Sequence, residues 1–334
     1  MYDAVVVGAG PVGLACGIEI KREGLQALIV EKGSLVNSIV GYPARMEFFS
    51  TPDLIEIGGY PFPIQGYKPT REEAVEYYRG VAAQENLDIR LYERVLRVHG
   101  EAENFTVATE RGDYHARNVI IATGFFDKPN LLDVPGEDLP KVTHYYDEPF
   151  GYVGQHVAVI GARNSAAKAA LECYRHGAVV TLVVRSASLS DKVKYWIRPD
   201  IENRIKDGGI RAYFNTSVGE IREASVVLRT PAGPLEIENN WVLAMTGYHP
   251  DFTFLERLGI TFANDASRTP IYDETTFETS RPGVYIAGTV CGGYQTNRWF
   301  IENGRFHARL IAAHMAGRRT EPIHFEEIHW KTQE

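Results

Sequence analysis

The chain has 334 residues, which favours about two domains, and 44% of them are hydrophobic, so large buried cores are available. A formal net charge of −8 and a pI near 5.7 exclude a typical nucleic-acid or anionic-membrane partner. No apolar run reaches transmembrane length, and the first predicted strand begins at residue 2, so we expect no membrane span and no signal peptide. Three cysteines without a C-x-x-C pair favour a reducing, cytoplasmic location.

The first predicted element is a β-branched strand that leads into Gly8-x-Gly10-x-x-Gly13. A helical pattern and a second apolar strand ending in Glu31 follow, which completes a dinucleotide-binding βαβ unit. Gly8 permits the tight turn, Gly10 lets a pyrophosphate approach the backbone, and Gly13 lets helix and strand pack closely. The helix start receives the phosphates, and Glu31 accepts a hydrogen bond from a ribose hydroxyl.

The loop at residues 32–45 follows, and two readings of it are open: it closes over the rest of the ligand, as loops after the second strand of such a unit often do, or it is a surface connection. Thr70-Arg-Glu-Glu73 is a capping box that predicts a helix through about Gln84. Alternating patterns then predict a small antiparallel meander, followed by a buried strand that ends at a glycine turn. The meander strands are 89–92, 94–98, 105–109 and 114–115, and the buried strand with its turn is 118–124.

The opening pattern then recurs in a second unit. A strand at 156–160 leads into Gly161-Ala-Arg-Asn-Ser-Ala166, a helix is predicted at 167–176, and a strand at 178–184 ends in Arg185. A base therefore replaces the acid of the first unit. An acid suits a free ribose 2′-hydroxyl, whereas an arginine suits a 2′-phosphate, so we predict NADP(H) for this unit. Lys192 and Lys194 add positive charge nearby.

Two further apolar strands end in glycine, at residues 241–247 and 285–288. A long helix is predicted from about Thr296 to Ala316, terminated by Gly317. A polar tail follows at 324–330.

Two dinucleotide units, one inserted in the other, resemble the flavoprotein disulfide reductases of the thioredoxin reductase type. The resemblance implies an α/β fold with two Rossmann-like domains, in which an NADPH domain (125–247) is inserted in an FAD domain (1–124 and 248–334). The segment 285–289 resembles the second FAD motif, which normally ends Gly-Asp, but here Thr289 follows Gly288. The region 143–147 has no C-x-x-C, so the chain is not a thioredoxin reductase.

A closer resemblance covers nearly the whole chain. It is to the bacillithiol disulfide reductases, which are NADPH- and FAD-dependent, and it implies a low-molecular-weight disulfide as substrate. Members commonly carry Gly-Pro-Cys-Gly in the first fingerprint, where this chain has Gly10-Pro11-Val12-Gly13. The stretches that carry it are 37–43, 48–53, 57–62, Gly161-x-x-Asn164-Ser-Ala166, Lys194-x-Trp196-Ile, Gly247-Tyr-His-Pro-Asp251 and Phe300-Ile-Glu-Asn-Gly304.

Another cysteine would have to replace the missing thiol. Cys16 lies one helical turn beyond Val12, where we expect it to pack as a small apolar residue. Cys291 follows Thr289 in a Gly-rich loop, where we expect no redox role, and Cys173 is predicted to belong to a core.

The predicted cofactor-binding residues form two sets, and neither a catalytic residue nor a metal site is assigned. For FAD they are Gly8, Gly10, Pro11, Val12, Gly13, Glu31, Lys32, Ser38, Tyr42, Ala122, Thr123, Gly124, Gly288 and Thr289. For NADPH they are Gly161, Arg163, Asn164, Ser165, Ala166, Arg185, Lys194 and Gly247.

The leading hypothesis is an enzyme that passes a hydride from NADPH to FAD and then delivers electrons to an acceptor. Bacillithiol disulfide is the first choice of acceptor, and the missing thiol favours ferredoxin or flavodoxin as the alternative. A flavin monooxygenase is a third reading, supported by Ala122-Thr-Gly and His144 but not by Asp138 and Pro140. A flavoprotein that senses NADPH without turnover is a fourth. We expect a homo-oligomer, either a dimer or a tetramer.

Overall fold

In the computed structural model, residues 1–322 are described, and the predicted polar tail at 324–330 lies outside them. The chain forms two compact units. The first contains Met1–Gly41, Met46–Lys128 and the chain from Tyr248 onward, and the second contains Tyr42–Arg45 and Pro129–Gly247. Residues 125–128, which were predicted in the inserted domain, therefore belong to the first unit.

The amino-terminal part of the first unit alternates strands and helices before its antiparallel strands. Its elements are β1 (Tyr2–Val7), α1 (Pro11–Arg22), β2 (Ala27–Val30), α2 (Asn37–Val40), α3 (Pro52–Ile55), α4 (Arg71–Gln84), β3 (Asp88–Arg90), β4 (Val95–Glu101), β5 (Asn104–Thr109) and β6 (Asp113–Ile121). The predicted capping box begins α4, because the Thr70 hydroxyl accepts from the Glu73 N–H and the Glu73 carboxylate accepts from the Thr70 N–H.

The second unit carries its own parallel sheet and a three-stranded antiparallel sheet. Its elements are β7 (Lys128–Pro129, at its boundary), β8 (Val142–Thr143), a 3₁₀ turn (Phe150–Tyr152), β9 (His156–Ile160), α5 (Asn164–Arg175), β10 (Val179–Val183), α6 (Arg198–Lys206), β11 (Arg211–Tyr213), β12 (Ser217–Ile221), β13 (Ser225–Thr230), β14 (Gly233–Glu238) and β15 (Trp241–Ala244). The parallel order is β11-β10-β9-β15-β8, and the antiparallel order is β12-β13-β14. The alanine-rich face of α5 packs on this parallel sheet.

The chain then returns to the first unit and completes its main sheet. The remaining elements are β16 (Tyr248–His249), α7 (Phe252–Arg257), β17 (Val284–Ile286), a 3₁₀ turn (Gly288–Gly292), α8 (Ile301–Gly304) and α9 (His307–Met315). The main sheet has the order β3-β2-β1-β6-β5-β4, and β17 pairs in parallel with β6. Helices α1 and α9 pack together, and β1 is buried over Ala4–Val7.

Two strand predictions were wrong in detail. The two predicted strands at 114–115 and 118–122 belong to the single strand β6. The polar residues at their junction continue the strand, because Arg117 forms an ion pair with Asp3 and the Asn118 side chain donates to the Asp3 carbonyl. The strand predicted at 89–92 is not part of a meander. It is β3, which pairs in parallel with β2 at the edge of the main sheet.

The long carboxy-terminal helix was also wrong in its first half. Residues 296–300 are not helical, and the helix is divided into α8 and α9. The Asn303 side chain accepts from the Phe300 N–H at 2.7 Å, which starts a helix there instead of continuing one from Thr296. Gly317 ends the segment with φ +73°, as predicted.

Candidate functional site: two glycine-rich turns at the ends of parallel strands

The first glycine-rich turn joins β1 to α1, and its glycines have different reasons to be glycine. Gly8 has φ +112°, and a Cβ there would lie 2.6 Å from the Ala122 carbonyl oxygen. A Cβ at Gly13 would overlap the Gly8 carbonyl oxygen. Gly10 has an ordinary extended conformation, and a Cβ there would meet no described atom within 4 Å. The protein itself therefore requires glycine at positions 8 and 13, whereas at position 10 the open space suits a ligand.

Three strands of the first unit end beside this turn. The Ala122 N–H donates to the Val7 carbonyl, and the Ala287 N–H donates to the Ile121 carbonyl, both at 2.9 Å. These bonds align the carboxyl ends of β1, β6 and β17, the edge of an open α/β sheet at which ligands bind. The predicted FAD residues of the Gly8–Gly13 turn, of Ala122-Thr123-Gly124 and of Gly288-Thr289 therefore meet at one edge.

Glu31 follows β2 and is buried, with a relative exposure of 7%. One of its carboxylate oxygens accepts from the Ala9 N–H at 2.8 Å, and the other accepts from the Gly33 N–H at 2.9 Å. Burial raises the pKa of Glu31, and these two backbone donors oppose the rise. The acid therefore shapes the glycine-rich loop in addition to offering lone pairs to a ribose hydroxyl.

The other predicted FAD residues after β2 lie in several settings. Lys32 forms an ion pair with Asp127 at 2.5 Å. Ser38 lies in α2, and Pro11 is the first residue of α1. Tyr42 belongs to the segment grouped with the second unit, and burial raises its pKa to about 12.

Val12 occupies the position at which the bacillithiol disulfide reductases, which the sequence resembles, commonly carry a cysteine. Its side chain is 9% exposed and lies between two glycines. A Cβ on Gly288 would be 3.2 Å from the Val12 Cβ, and a Cβ on Gly304 would be 3.3 Å from the Val12 Cγ2. Val12 is therefore a packing residue at the point where α1, β17 and α8 meet.

All three cysteines are free and buried. Burial raises the pKa of the Cys173 thiol to about 12 and also raises the pKa values of Cys16 and Cys291. Because thiolates are the nucleophiles in disulfide exchange, none of the three has the properties of a reactive cysteine. The expectation that Cys16 and Cys173 pack as apolar residues is confirmed.

The sequence reasoning missed His307. Its Nδ1 accepts a hydrogen bond from the Gly288 N–H at 3.1 Å and lies 3.9 Å from the Cys291 Sγ. The imidazole is fully buried, and burial lowers its pKa to about 3, so it is neutral and cannot activate the thiol as a charged partner. A single histidine in an apolar helix was the only sequence signal, and it carries no information about its partner.

The second glycine-rich turn joins β9 to α5. Gly161 has φ +146°, and a Cβ there would lie 2.5 Å from the Met245 carbonyl oxygen and 3.0 Å from the Ala166 Cβ. This close approach explains a small residue at position 166. Arg163 precedes the first residue of α5, and its side chain and that of Ser165 are exposed.

Asn164 joins this turn to the loop that carries the predicted phosphate contacts. Its Oδ1 accepts from the Lys194 N–H at 2.9 Å, and its Nδ2 donates to the Lys192 carbonyl at 3.0 Å. The Lys194 ammonium lies 5.7 Å from the centre of the Trp196 ring. Arg185 follows β10, is exposed, and has no hydrogen-bond or ion-pair partner among residues 1–322. Cationic side chains thus gather beyond the carboxyl end of this sheet.

Gly247 closes the second unit where the chain leaves it. It has φ +87°, and its carbonyl accepts from the Asn130 N–H at 2.9 Å. The Thr246 hydroxyl donates to the Asn130 carbonyl at 2.6 Å. The segments around Asn130 and Gly247, at the two ends of the second unit, are therefore tied together by backbone and side-chain hydrogen bonds.

Comparison with known proteins identifies the family of this chain. The protein-family model described as "Pyridine nucleotide-disulphide oxidoreductase" matches residues 5–288 of this chain. The bacilliredoxin reductase Bdr of Bacillus subtilis is 43% identical over 317 residues, which cover 94% of this chain and 98% of that protein. This chain belongs to the Bdr family of pyridine nucleotide-disulphide oxidoreductases. It is accordingly an FAD-containing oxidoreductase that uses NAD(P)H.

Solved structures extend the Bdr assignment to the fold. The bacillithiol disulfide reductase Bdr of Bacillus cereus is 39% identical, with a TM-score of 0.92, over 95% of this chain and 99% of that one. The Staphylococcus aureus Bdr is 40% identical, with the same TM-score, over 95% and 98%. Thioredoxin reductase from T. acidophilum, at 23% identity and a TM-score of 0.75, shares the fold. The predicted α/β architecture of two Rossmann-like domains is confirmed. Over residues 1–322, no helix has the length and apolar character that a membrane span needs.

Proposed function

We propose that this Bdr-family protein is a cytoplasmic, homo-oligomeric NADPH-dependent reductase that holds FAD on its first unit and reduces a bacillithiol-type disulfide. The observation that carries the proposal is the presence of two βαβ units with glycine-rich turns, in which the second strand is followed by an acid, Glu31, in one unit and by a base, Arg185, in the other. Relatives at 39–43% identity that cover nearly the whole chain are named for bacilliredoxin or bacillithiol disulfide reduction.

The residues of the first unit fit FAD. The open backbone at Gly10 and the start of α1 offer N–H groups to a pyrophosphate, and Glu31 is held where a ribose hydroxyl can donate to it. Gly124 and Thr289 lie together at the same edge, since a Cβ on Gly124 would be 3.6 Å from the Thr289 hydroxyl oxygen. In place of an aspartate, the Thr289 hydroxyl and the local backbone are the groups available to the rest of the cofactor.

The residues of the second unit fit a nucleotide with a 2′-phosphate. Arg185 supplies a guanidinium with no internal partner among the described residues, and Lys194 supplies an ammonium on a loop that Asn164 fixes. Such charge-assisted bonds recognise phosphate and not a ribose hydroxyl. The second unit therefore selects NADPH over NADH.

The overall reaction is NADPH + H⁺ + RSSR → NADP⁺ + 2 RSH. Bound FAD would supply the redox chemistry that links oxidation of the nicotinamide to reduction of the disulfide. The protein orients the nucleotide through the second unit and holds the flavin through the first. Because Cys16, Cys173 and Cys291 are all buried, no described cysteine is placed to form a mixed disulfide with the substrate. We therefore propose delivery of electrons to the acceptor without a protein thiol relay.

A ferredoxin is the second candidate acceptor, and the same lack of an exposed thiol favours it. A ferredoxin–NADP reductase from Ignicoccus hospitalis is 26% identical over 87% of this chain and 90% of its own length. Its reaction, NADPH + 2 Fd(ox) → NADP⁺ + H⁺ + 2 Fd(red), needs no thiol.

Anaerobic stopped-flow measurement separates the two acceptors. The holoenzyme is reduced with one equivalent of NADPH and then mixed with bacillithiol disulfide or with oxidised ferredoxin. Fast return of the oxidised flavin spectrum with the disulfide supports the proposal. Fast return with ferredoxin alone would replace the disulfide by the second candidate.

A further inference from the structure

His307 is the first residue of α9, and its imidazole contacts the turn that follows β17. The Gly288 N–H donates to its Nδ1 at 3.1 Å, in a fully buried position. A neutral imidazole that accepts at Nδ1 carries its proton on Nε2. Since burial lowers the pKa of His307 to about 3, this acceptor is present across the physiological pH range.

The Gly288 backbone is tightly confined. Its φ is +82°, a conformation that favours glycine, and a Cβ there would lie 3.2 Å from Val12. On another side, a Cβ on Gly304 would lie 3.2 Å from the Gly288 Cα. The hydrogen bond that the Gly288 N–H donates to His307 adds a directional constraint to this packing, because it fixes which way the Gly288 peptide points.

We propose that His307 is a positioning residue for FAD, which it serves by holding the Gly288–Thr289 turn in the orientation that the cofactor requires. This inference rests on the proposed placement of FAD at that turn. Loss of the acceptor would leave a buried N–H without its bond and would let the peptide rotate toward another acceptor. The cofactor would then meet a turn of altered shape.

His307 also packs as an aromatic ring, and this second role has to be separated from the first. Its ring is stacked on Phe277, with 3.8 Å between centroids, and lies edge-on to Trp299 at 4.5 Å. The two roles respond to different substitutions. His307→Asn keeps an acceptor near the place of Nδ1 and removes the ring, whereas His307→Phe keeps a ring and removes the acceptor.

His314 provides a matched control on the same helix. Its Nδ1 is 2.9 Å from the Tyr285 hydroxyl, so it also bonds a residue of β17, but through a side chain and not through the Gly288 turn. His314→Phe removes a histidine and a hydrogen bond of similar length. It leaves the backbone of the proposed FAD site with its own contacts.

The experiment measures the dissociation constant of FAD by fluorescence titration of the apoproteins, together with the melting temperature of each apoprotein. We expect His307→Phe to weaken FAD binding about tenfold or more. We expect His307→Asn to stay within about threefold of the unaltered protein, and His314→Phe to match it. Rescue by asparagine is the signature of positioning, because ring packing cannot produce it.

Two results would overturn the role of His307. One is unchanged FAD affinity in His307→Phe. The other is an equal loss of affinity in His307→Phe and His307→Asn, since that pattern follows packing instead of the acceptor. A wild-type apoprotein that takes up no FAD would instead refute the proposed FAD site itself.

Discussion

Glu31 and Arg185 each follow the second strand of a βαβ unit, yet their surroundings differ. Glu31 is buried, and both of its carboxylate oxygens already accept backbone N–H groups. Arg185 is exposed and has no internal partner in the described part of the chain. The first site is thus largely formed by the protein's own hydrogen bonds, while the second offers exposed positive charges at its rim. This contrast fits a cofactor that stays bound to one unit and a cosubstrate that exchanges at the other.

The largest expected effects come from two glycines of the first site. Gly13→Ala should destabilise the first unit by about 3 kcal/mol or more and abolish FAD binding, because its Cβ overlaps the Gly8 carbonyl. Gly10→Ala should leave the apoprotein folded but weaken FAD about ten- to a hundredfold, since that Cβ enters space used only by the ligand. For both variants, thermal melting measures the stability of the apoprotein and titration with FAD measures the affinity.

Gly80 in α4 is the control for these glycine substitutions. A Cβ there meets no described atom within 4 Å, so Gly80→Ala should leave FAD affinity unchanged and should not lower the melting temperature, because alanine in a helix interior is about 1 kcal/mol more favourable than glycine. Full FAD affinity in Gly10→Ala would show that the pyrophosphate does not approach this turn.

Arg185→Ala should raise the KM for NADPH about ten- to a hundredfold and leave the KM for NADH nearly unchanged, because a charge-assisted phosphate bond contributes about 1.5–3 kcal/mol. Arg211 is the matched control. It lies at the amino end of β11, whereas Arg185 lies beyond the carboxyl end of the adjacent strand β10. Equal use of both nucleotides by the unaltered enzyme would remove the basis for this assignment.

Glu31→Ala tests whether the first site is shaped by the protein. It should lower the stability of the apoprotein by about 1–3 kcal/mol, because the Ala9 and Gly33 N–H groups lose their acceptor, and it should also weaken FAD. Affinity for NADPH should not change. Denaturant unfolding of the apoprotein and separate nucleotide titrations measure these effects. Unchanged apoprotein stability would mean that Glu31 acts only on the ligand.

The sequence predicted the two βαβ units because spacing, strand pattern and the terminal charged residue are all local signals. It misread β3 and the start of the last helix for a physical reason. Strand β3 is defined by its pairing with β2, which lies far away in the chain. The start of α8 is defined by the hydrogen bond from the Phe300 N–H to the Asn303 side chain. The His307 bond to Gly288 spans 19 residues and has no local pattern at all.

Another prediction concerns pH. His307 has a folded pKa of about 3 against an ordinary 6.5, so the unfolded chain binds its proton more readily between those values. Stability should therefore fall as pH decreases from 6.5, with His307 contributing up to about 1.4 kcal/mol per pH unit. His307→Phe should show a shallower dependence between pH 6 and 4 in urea unfolding. An identical slope in both proteins would contradict the buried neutral histidine.

The smallest effect is expected for the cysteines. A variant with Cys16, Cys173 and Cys291 all changed to Ala should keep the rate of flavin reduction by NADPH within about twofold, because none of these thiols is exposed or readily ionised. Stopped-flow absorbance under anaerobic conditions measures that rate. If reoxidation by bacillithiol disulfide were fast in the unaltered protein and absent in the variant, a buried cysteine would have a redox role after all.

The electron capacity of the purified holoenzyme tests most directly whether FAD is its only redox centre. In an anaerobic dithionite titration, we expect full reduction after uptake of two electrons per FAD, both in the unaltered protein and in the triple cysteine variant. Uptake of four electrons by the unaltered protein and of two by the variant would instead reveal a thiol pair in the electron path and contradict the proposed mechanism.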